Sequence, residues 1–284
     1  MNFDISDDQR ALEDGLGRLL ADTCPPTVVR EVLEGVRPYA DQVWGQLGEL
    51  GYIGAGMPED IGGSGLGVVE TLLTAKELGR VIAPVPFASH ALAADLLVRC
   101  GSPAQVRSWG PRIATGESIA CVALQAPGLR WADGRLDGVV RVPAGDIAAV
   151  GLFVTGGGHG VLVDLGAPGV RRRRLETLDP TMSYAEIVFD AAAADILPGL
   201  HPGEGERARD LGAVLAAFEQ IGGAERCLEM ARAYALERHT FGRAIGSYQV
   251  VKHKLVDMYL KTNRARSHAY YAAWAHLTDA PERT

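Results

Sequence analysis

Twelve consecutive residues, Arg238-His239-Thr240-Phe241-Gly242-Arg243-Ala244-Ile245-Gly246-Ser247-Tyr248-Gln249, place a guanidinium, a hydroxyl, an aromatic ring, a glycine corner and an amide between two long helical patterns. An arginine that ends a helix has a side chain free of intrahelical bonding, and its planar fork of donors suits a diphosphate. Thr240 adds a hydroxyl donor, Phe241 a flat face for a ring, and Gln249 an amide able to read a polar edge. Together they read as a grip for a dinucleotide. Taken singly they have plainer uses: Arg238 and Arg243 complement the C-terminal dipole of the preceding helix, Gly242 stops it, and Phe241 belongs to a core.

The rest of the chain must position that corner. Its 284 residues, 47% of them apolar, suffice for a buried core in one large domain or two to three small ones. A net charge of -7 speaks against a nucleic-acid partner, which needs a basic surface. The N-terminal residues show no secretory signal, and no apolar run approaches the length of a membrane span. Cys24, Cys100, Cys121 and Cys227 are widely separated and lack metal-ligand spacing, so free thiols in a reducing cytoplasm are expected and a metal site is not.

Helical signals fill the first hundred residues. Ser6 with Gln9 is a capping box ahead of Leu12, Leu16, Leu19 and Leu20, and Pro25-Pro26 ends that element. Further helices are expected over Val43 to Leu50, closed by Gly51, over Val68 to Leu78, closed by Gly79, and over Ala88 to Cys100. Pro58-Glu59-Asp60-Ile61-Gly62-Gly63-Ser64-Gly65-Leu66-Gly67 between them reads as a tight turn; it lacks the Lys-Ser/Thr ending of a phosphate loop. From Ser118 the pattern shifts to short strands: Ile119 to Leu124, Leu136 to Val142, Ile147 to Thr155, Gly160 to Leu165 and Ala185 to Phe189. The run Arg171 to Arg174 is either a phosphate site, for coenzyme A, or a solvated strand edge. Successive strand residues point to opposite faces, which favours the edge. Long helices return over Leu211 to Arg238 and Tyr248 to His276. The first carries the stripe Leu211, Val214, Leu215, Phe218, Ile221, Cys227, Leu228 and Ala231, the second Val250, Val251, Leu255, Met258 and Thr262. Gly222 and Gly223 inside the first stripe cost about 1 kcal/mol each relative to alanine, which a close helix approach would offset.

Helices, an antiparallel β-domain and helices again make an α+β chain, with expected divisions at 1–117, 118–198 and 199–284. The corner resembles the Arg-x-x-Phe-Gly-x-x-Ile-x-x-x-Gln segment of the acyl-CoA dehydrogenase family, and the order of elements is similar along the entire chain. Pro58-Glu59-x-x-Gly-Gly-x-Gly-Leu-Gly resembles the loop joining helices in that family's N-terminal domain. The run Glu77 to Phe87 is similar to a short actinobacterial-type subgroup, many of whose members act on steroid or other bulky thioesters. The resemblance implies FAD as cofactor, Arg238 on the diphosphate of a neighbouring subunit's FAD, and Thr240, Phe241 and Gln249 around its adenosine. It also implies α,β-desaturation of an acyl-CoA, an electron-transfer flavoprotein as electron acceptor, and a homo- or hetero-oligomer.

The sequence departs from the family pattern in three places. Leu124-Gln125-Ala126-Pro127-Gly128-Leu129 stands where a Thr-Glu-Pro-x-Ala-Gly-Ser-Asp motif is usual, and Val142-Pro143-Ala144-Gly145 stands where a Trp-Ile-Thr/Ser-Asn strand is usual. Of the family's two positions for a catalytic glutamate, the early one falls near Gly212, beside Ala213 in place of an arginine, which leaves Asp210 as the nearest carboxylate. The late one falls beyond Thr284, so the glutamate is expected in a continuation of the chain or is absent. These departures keep two alternatives open: a non-catalytic subunit completing a homologous chain's FAD site, and a flavin-dependent oxygenase on the same fold.

Overall fold

The computed structural model describes residues 5–280. The helical N-terminal part comprises α1 (Asp7–Thr23), α2 (Pro26–Leu33), α3 (Asp41–Glu49), a 3-10 turn Glu59–Ile61, α4 (Val68–Val81), α5 (Phe87–Cys100) and α6 (Pro103–Ala114). Ser6 caps α1 as its residue type foretells, accepting the Gln9 N–H while the Gln9 side chain accepts the Ser6 N–H. Ser102 and Gln105 repeat the device on α6. Pro26 does not simply end α1. It opens α2 as the first helical residue, where its missing N–H costs nothing. The glycine-rich stretch is a turn: Gly62, Gly65 and Gly67 take positive φ, and a Cβ on Gly63 would lie 2.2 Å from the Met57 carbonyl oxygen.

Strands follow from β1 (Ala120–Ala126) through β2 (Leu129–Ala132), β3 (Arg135–Pro143), β4 (Val150–Thr155), β5 (Gly160–Asp164), β6 (Val170–Leu175) and β7 (Tyr184–Ala193) to the short β8 (Asp195–Ile196). They form two four-stranded sheets, ordered β1-β4-β5-β8 and β2-β3-β7-β6. Phe153 of β4 meets Phe189 of β7 edge-on at 5.5 Å between them. All pairings are antiparallel except β1 with β4, which is parallel. The arginine run occupies β6, an edge strand. Arg173 binds Glu186 at 3.0 Å, Arg171 and Arg174 lie 3.6 and 3.8 Å from Asp190 and Asp146, and Arg172 donates to the Ala148 carbonyl at 2.7 Å. Arg172 and Arg174, two apart and so on one face, both meet Asp146, at its carbonyl and its carboxylate, while Arg171 and Arg173 turn to Asp190 and Glu186; the four do not converge on one anion site, in keeping with a solvated edge.

The chain closes with α7 (Pro202–Glu237), a hairpin of β9 (His239–Thr240) and β10 (Arg243–Ala244), a 3-10 turn Ile245–Ser247, and α8 (Gln249–Leu277). α7 buries Leu211, Val214, Leu215, Phe218 and Ile221, then crosses α4 at the closest backbone approach of the two helices. A Cβ on Gly222 would sit 1.8 Å from the Lys76 carbonyl oxygen, and one on Gly79 would sit 2.0 Å from that of Glu219. Gly79 therefore lies inside α4, which runs on to Val81, because the crossing and not a helix end demands the missing side chain. Around the crossing Lys76 binds Glu13 at 2.7 Å, and Arg80 binds Glu225 at 3.0 Å and Glu229 at 2.6 Å, charges paired as partial burial requires. Cys227 and Val250 do not join the core; both are exposed, Val250 to 65%. The periodic stripe continues past Ile221 with partial cover: Leu228 is half-buried and shares a cavity with Leu255, Val256 and Tyr259 of α8, while Cys227 stays open.

One ring ties the helical part to the strands. His90 of α5 is fully buried; its Nδ1 accepts the Ala120 N–H of β1 at 3.1 Å, so the neutral ring donates from Nε2 to the Ile113 carbonyl at 3.0 Å. Burial pushes its pKa down to about 4.

Candidate active site

Arg238 leaves α7 as its C-cap residue with extended backbone, its N–H bonded to the Tyr234 carbonyl at 2.8 Å and its own carbonyl accepting the Ile245 N–H at 2.7 Å. The backbone is pinned on both sides. The guanidinium is exposed and takes no hydrogen bond or ion pair among the described residues. β9 and β10 pair through Thr240 with Arg243 and His239 with Ala244, leaving Phe241 and Gly242 as a two-residue turn with φ of 51° and 77°. Such a turn requires positive φ at both central residues and favours Asn-Gly. A phenylalanine there carries strain of order 1–3 kcal/mol, and this one is also 97% exposed.

Neighbouring side chains hold the turn without covering it. The Tyr248 hydroxyl donates to the Thr240 carbonyl at 3.0 Å, and the Arg243 guanidinium stacks 4.0 Å from the centre of the Tyr248 ring. Gly246 abuts α7, where a Cβ would come within 2.8 Å of the Ala235 carbonyl oxygen. Gln249 is exposed at the first turn of α8, beside N–H groups without intrahelical partners. The structure thus brings Arg238, Thr240, Phe241 and Gln249 together at one outward-facing corner.

A second feature lies at the other end of α7. A cavity of about 50 Å³ opens between the start of α4, α5 and α7, lined by Met57, Ala91, Ala94, Val98, Leu211 and Leu215 among others, with Asp95 as its ionisable group. Asp95 went unremarked in the sequence, although a lone carboxylate inside the apolar run Ala91 to Val98 was a readable signal. Desolvation pushes its pKa up to about 6, against the pull of Arg99 and Arg207.

Asp210 faces elsewhere. It lies in the third turn of α7, so it does not serve the helix's first turn, and it lines a cavity of about 330 Å³ between α7 and α8 with Ala213, Ala217, His268 and His276. Gly212 turns toward Leu92 of α5. Among the described residues no cluster of three or more His, Cys, Asp or Glu is arranged to hold a metal ion.

A free guanidinium, a bare aromatic face and an amide at a helix start suit the diphosphate and adenosine of a dinucleotide, so the donor set fits FAD at its tail. At the two places where the usual family motifs are replaced, the chain makes a turn at Pro127-Gly128 and a left-handed Ala144. A helical domain, a two-sheet middle and long C-terminal helices, with such a corner, define a flavin-dependent oxidoreductase. Residues 6–117 match the family described as acyl-CoA dehydrogenase, N-terminal domain, and residues 208–284 its C-terminal domain. The chain is 31% identical to the acyl-CoA dehydrogenase IpdE2 of Mycobacterium tuberculosis over 92% of its own length and 74% of that protein's. It superposes on a chain of the ChsE4-ChsE5 complex from Mycobacterium tuberculosis with a TM-score of 0.88 at 29% identity, over 98% of this chain and 80% of that one. With the Tcur3481-Tcur3483 steroid ACAD the TM-score is 0.84 at 29% identity, over 95% and 78%. The chain belongs to the acyl-CoA dehydrogenase family, oxidoreductases whose cofactor is FAD. No helix of the described residues is long and apolar enough to cross a membrane.

Proposed function

We propose that this chain takes part in α,β-desaturation of an acyl-CoA thioester within an assembly of two or more homologous chains, its Arg238 corner holding the FAD tail of a neighbour. The observation that carries the reading is the corner's geometry. A strained, bare Phe241 beside a guanidinium without a partner has no use within its own chain and fits a ligand brought by another. Distance supports the exchange between chains. From Leu211 in the cleft to Arg238 is 27 residues of α7, about 40 Å at helical rise, farther than one extended dinucleotide reaches. A chain's own cleft and its own corner therefore serve different flavins.

In this reading Arg238 forks onto the diphosphate, Phe241 covers the adenosine, and Thr240 and Gln249 supply polar contacts. FAD held there would supply the hydride-accepting chemistry for the β-hydrogen. The chain's own part is to exclude water from the cleft and to supply a base for the α-proton. Asp210 is the carboxylate we propose to test as that base; it opens on the cavity between α7 and α8 and not on the cleft, so the proposal requires the thioester's α-carbon to lie in that cavity. Electrons pass on to an electron-transfer flavoprotein. The likeness to the two-component ChsE4-ChsE5 and Tcur3481-Tcur3483 proteins supports a hetero-oligomer, and the latter's description as a steroid ACAD makes a steroid thioester the first substrate to try. The free cysteines suit a reducing cytoplasm.

The test is the absorption spectrum of the protein purified alone and together with a homologous chain, before and after addition of an acyl-CoA. Flavin bound by either preparation and bleached by thioester supports the reading. Flavin bound only in the mixed assembly, with mutation of its companion's base alone abolishing bleaching, assigns this chain the role of a non-catalytic subunit. Colourless protein in both preparations refutes the proposal, as does flavin binding that Arg238→Ala leaves unchanged.

A further inference from the structure

The cleft between α5 and α7 is walled by hydrocarbon, and its polar side chains are two. Thr71 is satisfied, donating to the Gly67 carbonyl at 3.2 Å. Asp95 is not. Its carboxylate accepts no hydrogen bond among the described residues, and its nearest cation, Arg99, stands 4.0 Å away. Arg99 is engaged by Glu204 of α7, donating from Nε to Oε2 at 2.8 Å and from Nη2 to Oε1 at 2.7 Å. The remaining charged group facing Asp95 is Arg207 of α7, which donates to the His276 carbonyl at 3.2 Å. The carboxylate thus sits a quarter exposed in an apolar cleft, 4.0 Å from Arg99 and accepting no hydrogen bond from the described residues, its oxygens open to solvent or to a ligand that enters. A ligand that fills the cleft strips water from this carboxylate, so an arrangement of this kind discriminates strongly between ligands that supply a donor in its place and ligands that do not.

We propose that Asp95 is a specificity-determining residue that accepts a hydrogen bond from a hydroxyl carried by the acyl group of the thioester. The inference rests on the desaturation reading above and sharpens its substrate class to hydroxyacyl-CoA. The cavity of about 50 Å³ admits a short apolar segment and its terminal oxygen. Met57, Ala91, Leu211 and Leu215 suit hydrocarbon, which points to the acyl group and not to the pantetheine arm, whose amides every CoA thioester carries alike.

The experiment uses the flavin-loaded holoenzyme in its assembled form. Unbranched acyl-CoAs of increasing chain length are each compared with the ω-hydroxy derivative, by Kd from calorimetry without an electron acceptor and by kcat/KM from flavin bleaching. In the wild type the hydroxyl is expected to improve both by about 10- to 100-fold at the length that reaches the carboxylate. Asp95→Leu should remove the preference while binding the unsubstituted thioester at least as well, and Asp95→Asn, which keeps an acceptor oxygen, should retain most of it. A merely structural Asp95 would lower both members of each pair together, and thermal unfolding of the two variants checks that they fold. Equal affinities for the paired probes at every length, or a preference undiminished in Asp95→Leu, overturns the inference and leaves the desaturation reading standing. If no thioester of either type binds or bleaches the flavin, both fall.

Discussion

Gly222 and Gly223 are neighbours in sequence with opposite expected responses to the same substitution. At Gly222 a methyl group would be driven to 1.8 Å from the Lys76 carbonyl oxygen and 2.9 Å from the Arg80 nitrogen, both backbone atoms of α4 that no rotamer change can clear. The helices must part by more than 1 Å. That separation loosens the contacts of the most extensive helix pair in the molecule and stretches the Lys76 and Arg80 ion pairs across it. Overpacking costs typically 1–3 kcal/mol, more against backbone, and alanine's helix propensity returns about 1 kcal/mol. With a backbone clash at the upper end of that range, Gly222→Ala should therefore lose about 2 kcal/mol, roughly 4–8 °C in Tm for a chain of this size. At Gly223 the added Cβ would meet the Gly79 carbonyl oxygen at 3.5 Å, an ordinary contact, so Gly223→Ala should be neutral or gain up to about 1 kcal/mol. Thermal and urea denaturation followed by circular dichroism compare the two. Equal stabilities would refute the close crossing and with it the reason given for Gly79 inside α4.

Other substitutions separate stability from binding. Asp95→Asn should stabilise the chain by about 2 kcal/mol at pH 8, because a carboxyl raised from 3.8 to about 6 holds its proton more tightly folded than unfolded. The gain should shrink as pH falls from about 6 toward 4, and urea titrations at pH 8 and pH 5 give the difference. His90 works in the opposite sense: a ring lowered from 6.5 to about 4 is protonated first in the unfolded chain, so its support is lost as pH falls through that window. About 3 kcal/mol is at stake, and His90→Gln should flatten that part of the stability profile. Phe241→Asn relieves the left-handed strain and should raise the Tm of the chain by a few degrees while weakening FAD retention by the assembly, read by gel filtration with flavin fluorescence. Arg238→Lys should lose FAD affinity almost as Arg238→Ala does, by about tenfold or more, since a point charge does not replace a fork.

Much of the architecture was legible because patterning is local. The Ser6–Gln9 box, the glycine turn before α4 and the change from helical to strand periodicity near Ser118 all announce themselves within a few residues. What escaped reading depends on distant partners. Gly79 looks like a helix stop until α7 is laid across it, and Pro26 looks like a terminator because a proline that ends one helix can equally begin the next. The parallel pairing of β1 with β4 leaves no short-range mark, since it joins strands through an intervening hairpin. In the candidate site the residue types of the corner were plain, but the positive φ of Phe241 was not, as nothing in Phe-Gly favours it over Asn-Gly. The exposed Cys227 and Val250 show the limit of periodicity: it tells which face seeks cover and is silent on what provides it.

The Ala120 amide ends on an imidazole nitrogen where most strand amides end on a carbonyl. Its hydrogen is shielded only while that nitrogen keeps a lone pair, so one proton on the ring is enough to take the acceptor away. Deuterium should enter at this position ahead of its neighbours along β1 once the pH falls to about 4, where the ring takes its proton, making a single backbone site the clock of the seam between helices and sheet.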